Sequence, residues 1–262
     1  MNLLLRPARS SLGKKYVVAI TGLLLTLFII GHMAGNLLIY AGPDALNSYA
    51  QALKAKPPLL WGARIGLLVV FTIHLGLALR LAFENRAARP ERYVYEDTLK
   101  ASWASRHMVL TGLVILAFLL YHLAHFTLGV VTKADVQVVA GKLVDVKKNY
   151  LDLTEVRQGK VYEPRPSEDY SKVNHKELDV RHDVYSMVVN GFRVWWITVT
   201  YLVAMAFLGL HLWHGASSFL QTLGLNSFAY ARWVRCVGPT LAVIVVAGNC
   251  SIPLAVLLGI IK

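Results

Sequence analysis

Five separate runs of apolar residues, at about 16–41, 59–83, 107–131, 194–220 and 236–261, dominate this 262-residue sequence. A helix rises 1.5 Å per residue, so about 20 apolar residues cross the hydrocarbon core of a bilayer. Each run reaches or approaches that length. The expectation is an all-α integral membrane bundle of five transmembrane helices. Composition agrees, because 56% of residues are hydrophobic and only 16% charged, whereas soluble domains are nearer a quarter charged. Mean hydropathy is +0.50. With their polar ends included, the helices are expected at about 16–41, 59–83, 103–131, 194–220 and 233–261. They form one domain over 1–262, with an extramembrane loop at 132–193.

The net charge of +12 raises the question of nucleic acid, and its placement answers it. Lys and Arg collect at the ends of the apolar runs, where lipid headgroups lie. The bilayer, and no nucleic acid, is the expected partner of that charge. The first run follows Arg6, Arg9, Lys14 and Lys15. It is too long for a signal-peptide core and lacks a small-residue cleavage site, so it reads as a retained helix. The connection from 80 to 106 carries Arg80, Arg86, Arg89, Arg92, Lys100 and Arg106, and the fourth connection carries Arg232 and Arg235. The opposite side has Lys54, Lys56, Arg64 and terminal Lys262. The positive-inside rule then places the N-terminus in the cytoplasm and the C-terminus outside. The 132–193 loop, with eleven basic and ten acidic residues, carries little topogenic weight.

Local signals punctuate the chain. Ala41-Gly42-Pro43-Asp44 reads as a stop and a turn, and Pro57 and Pro58 open the second helix. Residues 93–101 form a polar connector, and Asp183 to Arg193 reads as a short interfacial helix before Trp195 and Trp196. Pro239 and Pro253 lie in the last helix, with a kink expected near the second. No internal repeat is read. Cys236 and Cys250 are 14 residues apart on one helix, about 21 Å, too far to bridge. Without C-x-x-C-H, any haem would be held by coordination alone.

Six of the nine histidines fall inside the apolar runs: His32, His74, His122, His125, His211 and His214. One intramembrane histidine is often a hydrogen-bonded packing residue. Histidines on four consecutive helices call for a shared role, because ionisable groups at membrane depth are costly. Depth sorts them into two layers. His32 lies 18 residues beyond Lys14 and His122 lies 16 beyond Arg106, about 27 and 24 Å along their helices. His74 precedes Arg80 by 6 residues and His211 precedes Gln221 by 10, about 9 and 15 Å. Imidazoles paired on facing helices suit six-coordinate haem iron. Gly35, Ala78 and Gly215 lie three or four residues beyond His32, His74 and His211, on the same helix faces. Only one histidine of each doublet, His122/His125 and His211/His214, need bind iron. The other is left to a propionate, a quinone or a carbonyl. His107 is a further candidate for a propionate contact, while His175 and His182 carry no signal.

Residues 11–49, SLGKKYVVAITGLLLTLFIIGHMAGNLLIYAGPDALNSY, with HLAHF at 122–126 and HLWHGASSFLQTLG at 211–224, resemble the five-helix dihaem cytochrome b subunit of succinate dehydrogenase and fumarate reductase. The resemblance covers nearly the whole chain except the 132–193 loop, which looks expanded. It implies two haems b. His32 and His122 would ligate the outer iron, and His74 and His211 the inner iron. The family's helix IV ligand stands four residues before the glycine, which favours His211 over His214. His107, His125 and His214 would be secondary contacts.

The resemblance further implies a bacterial cytoplasmic-membrane anchor that passes electrons between an iron–sulfur subunit and membrane quinone. FAD and the iron–sulfur clusters would belong to a flavoprotein subunit and the iron–sulfur subunit, and the complex could form a higher oligomer. The sequence agrees on what it lacks, a dinucleotide fingerprint and a cysteine cluster. Succinate and fumarate chemistry would reside on a partner, and the direction of the reaction stays open. Asp44, Asn47 and Tyr49 are candidates for quinone contact, with loop capping as the alternative. The rivals are a cytochrome b of a hydrogenase, formate dehydrogenase or nitrate reductase, and a haem-free transporter with a histidine proton relay.

The charge distribution generates a direct test of sidedness. In a background lacking Cys236 and Cys250, a cysteine at Ser167 is expected to react with an impermeant thiol reagent in intact cells. A cysteine at Ala88 is expected to stay unlabelled until the cells are opened. The reverse pattern would invert the topology.

Overall fold

The computed structural model describes residues 10–89, 91, 102–131, 184–225, 227 and 230–262, and the backbone alone of six short strands between 133 and 161. Among these residues the long elements are all helical. Helix α1 spans Ser11–Asn36 and tightens into a 3₁₀ segment, Leu37–Ala41. Two amphipathic or short helices, α2 (Pro43–Lys54) and α4 (Trp103–Arg106), flank α3 (Pro57–Ala87). Then come α5 (Met108–His122), α6 (Val184–Arg193), α7 (Trp195–Thr222) and α8 (Ala231–Leu257). Ser11–Ala41, Pro57–Ala87, Met108–Thr127, Trp195–Thr222 and Ala231–Leu257 are long and apolar enough to cross a membrane. This is a multi-pass membrane protein with the five helices expected from its apolar runs.

The differences from expectation have local causes. Helix α1 starts at Ser11, five residues early, because Lys14 is not a solvated flank. It is 3% exposed and paired with Glu84 of α3, which also accepts from Arg80 Nε at 2.9 Å. A buried ammonium without such a carboxylate would be costly. Pro43-Asp44 opens a helix rather than merely turning the chain. Gly42 supplies the φ of 97° that reverses direction, Pro43 takes the first helical position and Asp44 sits in the first turn. Helix α8 runs through Pro239 and Pro253 without a break and ends at Leu257, short of 261. Its end is a Schellman motif, with Gly259 at φ 71° and Ile260 N–H donating to Ala255 O at 2.8 Å.

The third span ends in a π turn, Leu123–Thr127, where Leu128 N–H donates to Leu123 O at 2.8 Å. The expected helix through 131 stops there. Within 132–193 the described backbone forms three two-stranded antiparallel ribbons of two or three residues per strand, followed by α6 where a short helix is expected. The 93–101 connector, His175 and His182 lie outside the described residues.

The chain divides into two compact units. The first comprises Met1–His32, Trp61–Leu116 and Ala204–Ala247. Ala19, Ala216 and Phe219 form a buried cluster in it, with Leu23, Leu220, Leu223 and Leu241 packed around them. The second comprises Met33–Leu60, Ala117–Val203 and Gly248–Lys262, with a core that includes Ile39, Leu46, Val189, Phe192, Ile197 and Tyr201. There α2 packs on α6, and fully buried Asn47 accepts the Tyr185 N–H at 2.9 Å, capping the first turn of α6.

Gly238 marks the tightest helix crossing in the first unit. A Cβ there would lie 2.1 Å from the Trp213 carbonyl oxygen, and Gly238 N–H donates to Ser217 Oγ at 3.2 Å. Nothing lies within 4 Å of a Cβ at Gly31. Gly238→Ala is expected to destabilise the detergent-solubilised protein by about 1–3 kcal/mol through overpacking. Gly31→Ala is expected to be neutral or slightly stabilising, since Ala is the better helix former. Equal thermal midpoints for the two variants would contradict the crossing.

Candidate functional site

In the first unit, two histidines from different helices are seated in the same way. His74 of α3 has Nδ1 3.1 Å from Thr21 Oγ1 and 3.2 Å from Val18 O, both on α1. A carbonyl only accepts, so Nδ1 carries the ring proton. Thr21 Oγ1 donates its own proton to Val17 O at 2.7 Å and therefore accepts from His74. His211 of α7 has Nδ1 3.1 Å from Thr111 Oγ1 of α5. Thr111 Oγ1 donates to Met108 O at 3.1 Å, so it too accepts. In both rings the proton is on Nδ1, and Nε2 keeps the lone pair that a metal needs.

A glycine follows each threonine; a side chain at Gly22 would crowd the ring, while one at Gly112 would make ordinary contact with it. A Cβ at Gly22 would stand 3.1 Å from His74 Cε1, and one at Gly112 would stand 3.5 Å from His211 Cε1. Two neutral imidazoles with free Nε2 atoms, each held through Nδ1 by a neighbouring helix, fit the donor set of a bis-histidine haem.

This symmetry exposes a sequence repeat absent from the reading above. Thr21-Gly22-Leu23, Phe28 and His32 on α1 recur at the same spacing as Thr111-Gly112-Leu113, Phe118 and His122 on α5. Each phenylalanine lies against the histidine four residues on. Phe28 stacks on His32 at 5.5 Å between centroids, and Phe118 meets His122 at 5.7 Å. Eleven residues turn an ideal helix by three turns and about 20°, so Thr and His share one face about 16 Å apart. Each of these helices thus offers two levels, a seat for another helix's histidine and a histidine of its own.

The doublets resolve differently. In the second unit Tyr201 Oη lies 3.3 Å from His122 Nδ1 and 2.9 Å from His125 Nδ1. His125 is fully buried, stacks on Phe126 at 3.9 Å, and its Nε2 has no hydrogen-bond partner among the described residues. A Cβ at Gly191 would be 2.7 Å from that nitrogen, so backbone closes off His125 Nε2. His122 is half-buried and aligns with His32 in the repeat. On α7 the threonine seat holds His211 and not His214.

Other candidates take structural places. Gly35 makes room for Tyr49, whose ring would stand 2.8 Å from a Cβ there, and Asn47 caps α6. His107 stacks on Trp103 at 4.1 Å, with Nδ1–H donating to Trp103 O at 2.8 Å. Gly215 has only ordinary contact with Met108, a Cβ there lying 3.8 Å from its terminal methyl. Among the described residues no cluster of three or more His, Cys, Asp or Glu side chains is arranged for a metal ion. A bis-histidine haem site supplies only two. Thr21, Gly22, Thr111, Gly112 and Tyr201 are the site residues that the sequence reading missed, and the 12-residue repeat was the signal available for four of them. No family model, curated protein or solved structure matches the chain.

The tyrosines give a paired test. Tyr201→Phe removes the phenol that serves two imidazoles and is expected to cost about 1–3 kcal/mol, as for unsatisfied buried polar groups. Tyr121 Oη is buried with no hydrogen-bond partner among the described residues, so Tyr121→Phe is expected to be neutral or stabilising. Thermal unfolding in detergent compares them, and a larger loss at Tyr121 would refute the network.

Proposed function

We propose that this chain is the dihaem cytochrome b subunit that anchors a succinate:quinone oxidoreductase in the membrane. The observation that carries this reading is the matched seating of His74 and His211, with protons on Nδ1 and lone pairs on Nε2. The resemblance of residues 11–49, 122–126 and 211–224 supplies the family. His74 and His211 hold the inner haem in this reading, and His32 and His122 hold the outer one. The second pair rests on helix depth, the resemblance and the α1/α5 repeat. Haem b, when bound, supplies a one-electron ferric–ferrous couple at each site. The imidazoles orient it, and the apolar helices exclude water from it.

In the proposed orientation the His74/His211 level faces the cytoplasm. An iron–sulfur subunit would dock against the basic stretch with Arg86, Arg89 and Arg92, and a flavoprotein carrying FAD would complete the succinate chemistry. Electrons would leave to membrane quinone. A charge crossing the full membrane couples to its potential at about 2.3 kcal/mol per 100 mV.

Purification from native membranes tests the reading. A pyridine haemochrome assay is expected to give two haems b per chain, with flavoprotein and iron–sulfur subunits co-purifying. Alanine at His32, His74, His122 or His211 is expected to abolish one haem each, whereas His125→Ala and His214→Ala should retain both. A haem-free protein would refute the cytochrome assignment. Haem accompanied by hydrogenase, formate dehydrogenase or nitrate reductase subunits would assign the chain to one of those complexes.

A further inference from the structure

We infer that Thr21 and Thr111 are positioning residues that set the electron-donor strength of His74 and His211, and that they act as two copies of one device. The inference rests on the haem reading above. It concerns residues that touch the ligands through Nδ1 and never the iron.

Three features make the threonines more than packing. First, each hydroxyl already spends its proton on its own helix, Thr21 on Val17 O at 2.7 Å and Thr111 on Met108 O at 3.1 Å. With its proton so placed each hydroxyl accepts from the imidazole, which puts the ring proton on Nδ1 and leaves Nε2 bare. A serine or threonine whose proton remained free could have donated to Nδ1 and placed the ring proton on Nε2, where it would block a metal. Second, both hydroxyls are removed from water, with Thr111 fully buried and Thr21 6% exposed. A hydrogen bond there is not exchanged for one to solvent. Third, the same Thr-Gly step recurs on α1 and α5, and at both places a histidine of another helix lies against it.

An acceptor on Nδ1–H draws that proton outward and makes the imidazole a stronger donor through Nε2. Stronger donation favours ferric over ferrous iron, which lowers the midpoint potential. The two seats are not equally redundant. His74 has a second acceptor in Val18 O at 3.2 Å, whereas Thr111 Oγ1 is the one hydrogen-bond partner of His211 Nδ1 among the described residues. Loss of Thr111 should therefore matter more than loss of Thr21.

The experiment is redox titration and electron paramagnetic resonance of the intact purified complex. His74→Ala identifies which haem wave belongs to this level. Thr111→Val keeps the shape and deletes the acceptor. It is expected to raise that haem's midpoint by the equivalent of up to a tenfold change in the ferric/ferrous ratio, about 59 mV for one electron. Thr21→Val should raise it less, and the other haem should not move. Thr111→Ser keeps the hydroxyl, loses the methyl and should restore the wild-type potential. If Thr111→Val loses the haem while Thr111→Ser keeps it at the wild-type potential, the hydroxyl requirement stands. An unchanged midpoint in Thr111→Val, or equal effects of Val and Ser, would overturn the inference while leaving the haem assignment intact. A wild-type complex without haem would overturn both.

Discussion

Polar groups inside a bilayer find no water, and each must be satisfied by the protein itself. For the backbone this condition yields helices. For side chains it yields a recurrent habit in this chain, in which a threonine hydroxyl donates to a carbonyl one turn earlier. Thr26 bonds Gly22 O at 2.8 Å, Thr72 bonds Leu68 O at 2.8 Å and Thr200 bonds Trp196 O at 2.9 Å. Thr21 and Thr111 follow the same habit. Their protons are thereby used, and their remaining lone pairs face a neighbouring helix's imidazole. The chemistry of the His74 and His211 rings follows from this ordinary membrane-helix constraint. It fixes the protons on Nδ1 and leaves a lone pair on Nε2.

The second unit meets the same condition with aromatic side chains. Tyr201 serves two imidazoles with one phenol, and Phe118, Phe126 and Phe192 surround it edge-on at 5.0, 5.8 and 4.9 Å. Such contacts add to burial because ring edges meet ring faces. The π turn at Leu123–Thr127 begins directly after His122 and contains His125, and π turns are frequent at functional sites. One histidine of that doublet becomes a packed member of the core, while the other stays half-buried. Chemically identical side chains one turn apart thus differ in burial.

Glycine placement follows a similar logic. Gly22 accommodates an imidazole, Gly238 accommodates a backbone carbonyl, and Gly35 accommodates the Tyr49 ring. Small residues let membrane helices approach, but the partner differs at each site. Gly35, which helical spacing puts on the face of His32, makes its close approach to Tyr49. Spacing reports which face a residue occupies and not what lies opposite.

The sequence by itself determined the five spans, because run length and apolarity are local quantities that a bilayer reads directly. It also determined the short helix at Val184–Arg193. Helix α2 was legible in principle from Leu46, Tyr49, Ala50 and Leu53 at helical spacing, but Gly-Pro looked like a stop. The repeated Thr-Gly-Leu, Phe and His pattern was equally present in the chain. Its meaning was not, because nothing local says that a threonine on α1 faces a histidine on α3. Tertiary structure alone decided that Lys14 is buried against Glu84, that His125 is closed by Gly191, and that His211 rather than His214 meets a hydroxyl. Each of these depends on which side chain stands across a gap of about 3 Å, and such distances exist only once the helices are packed.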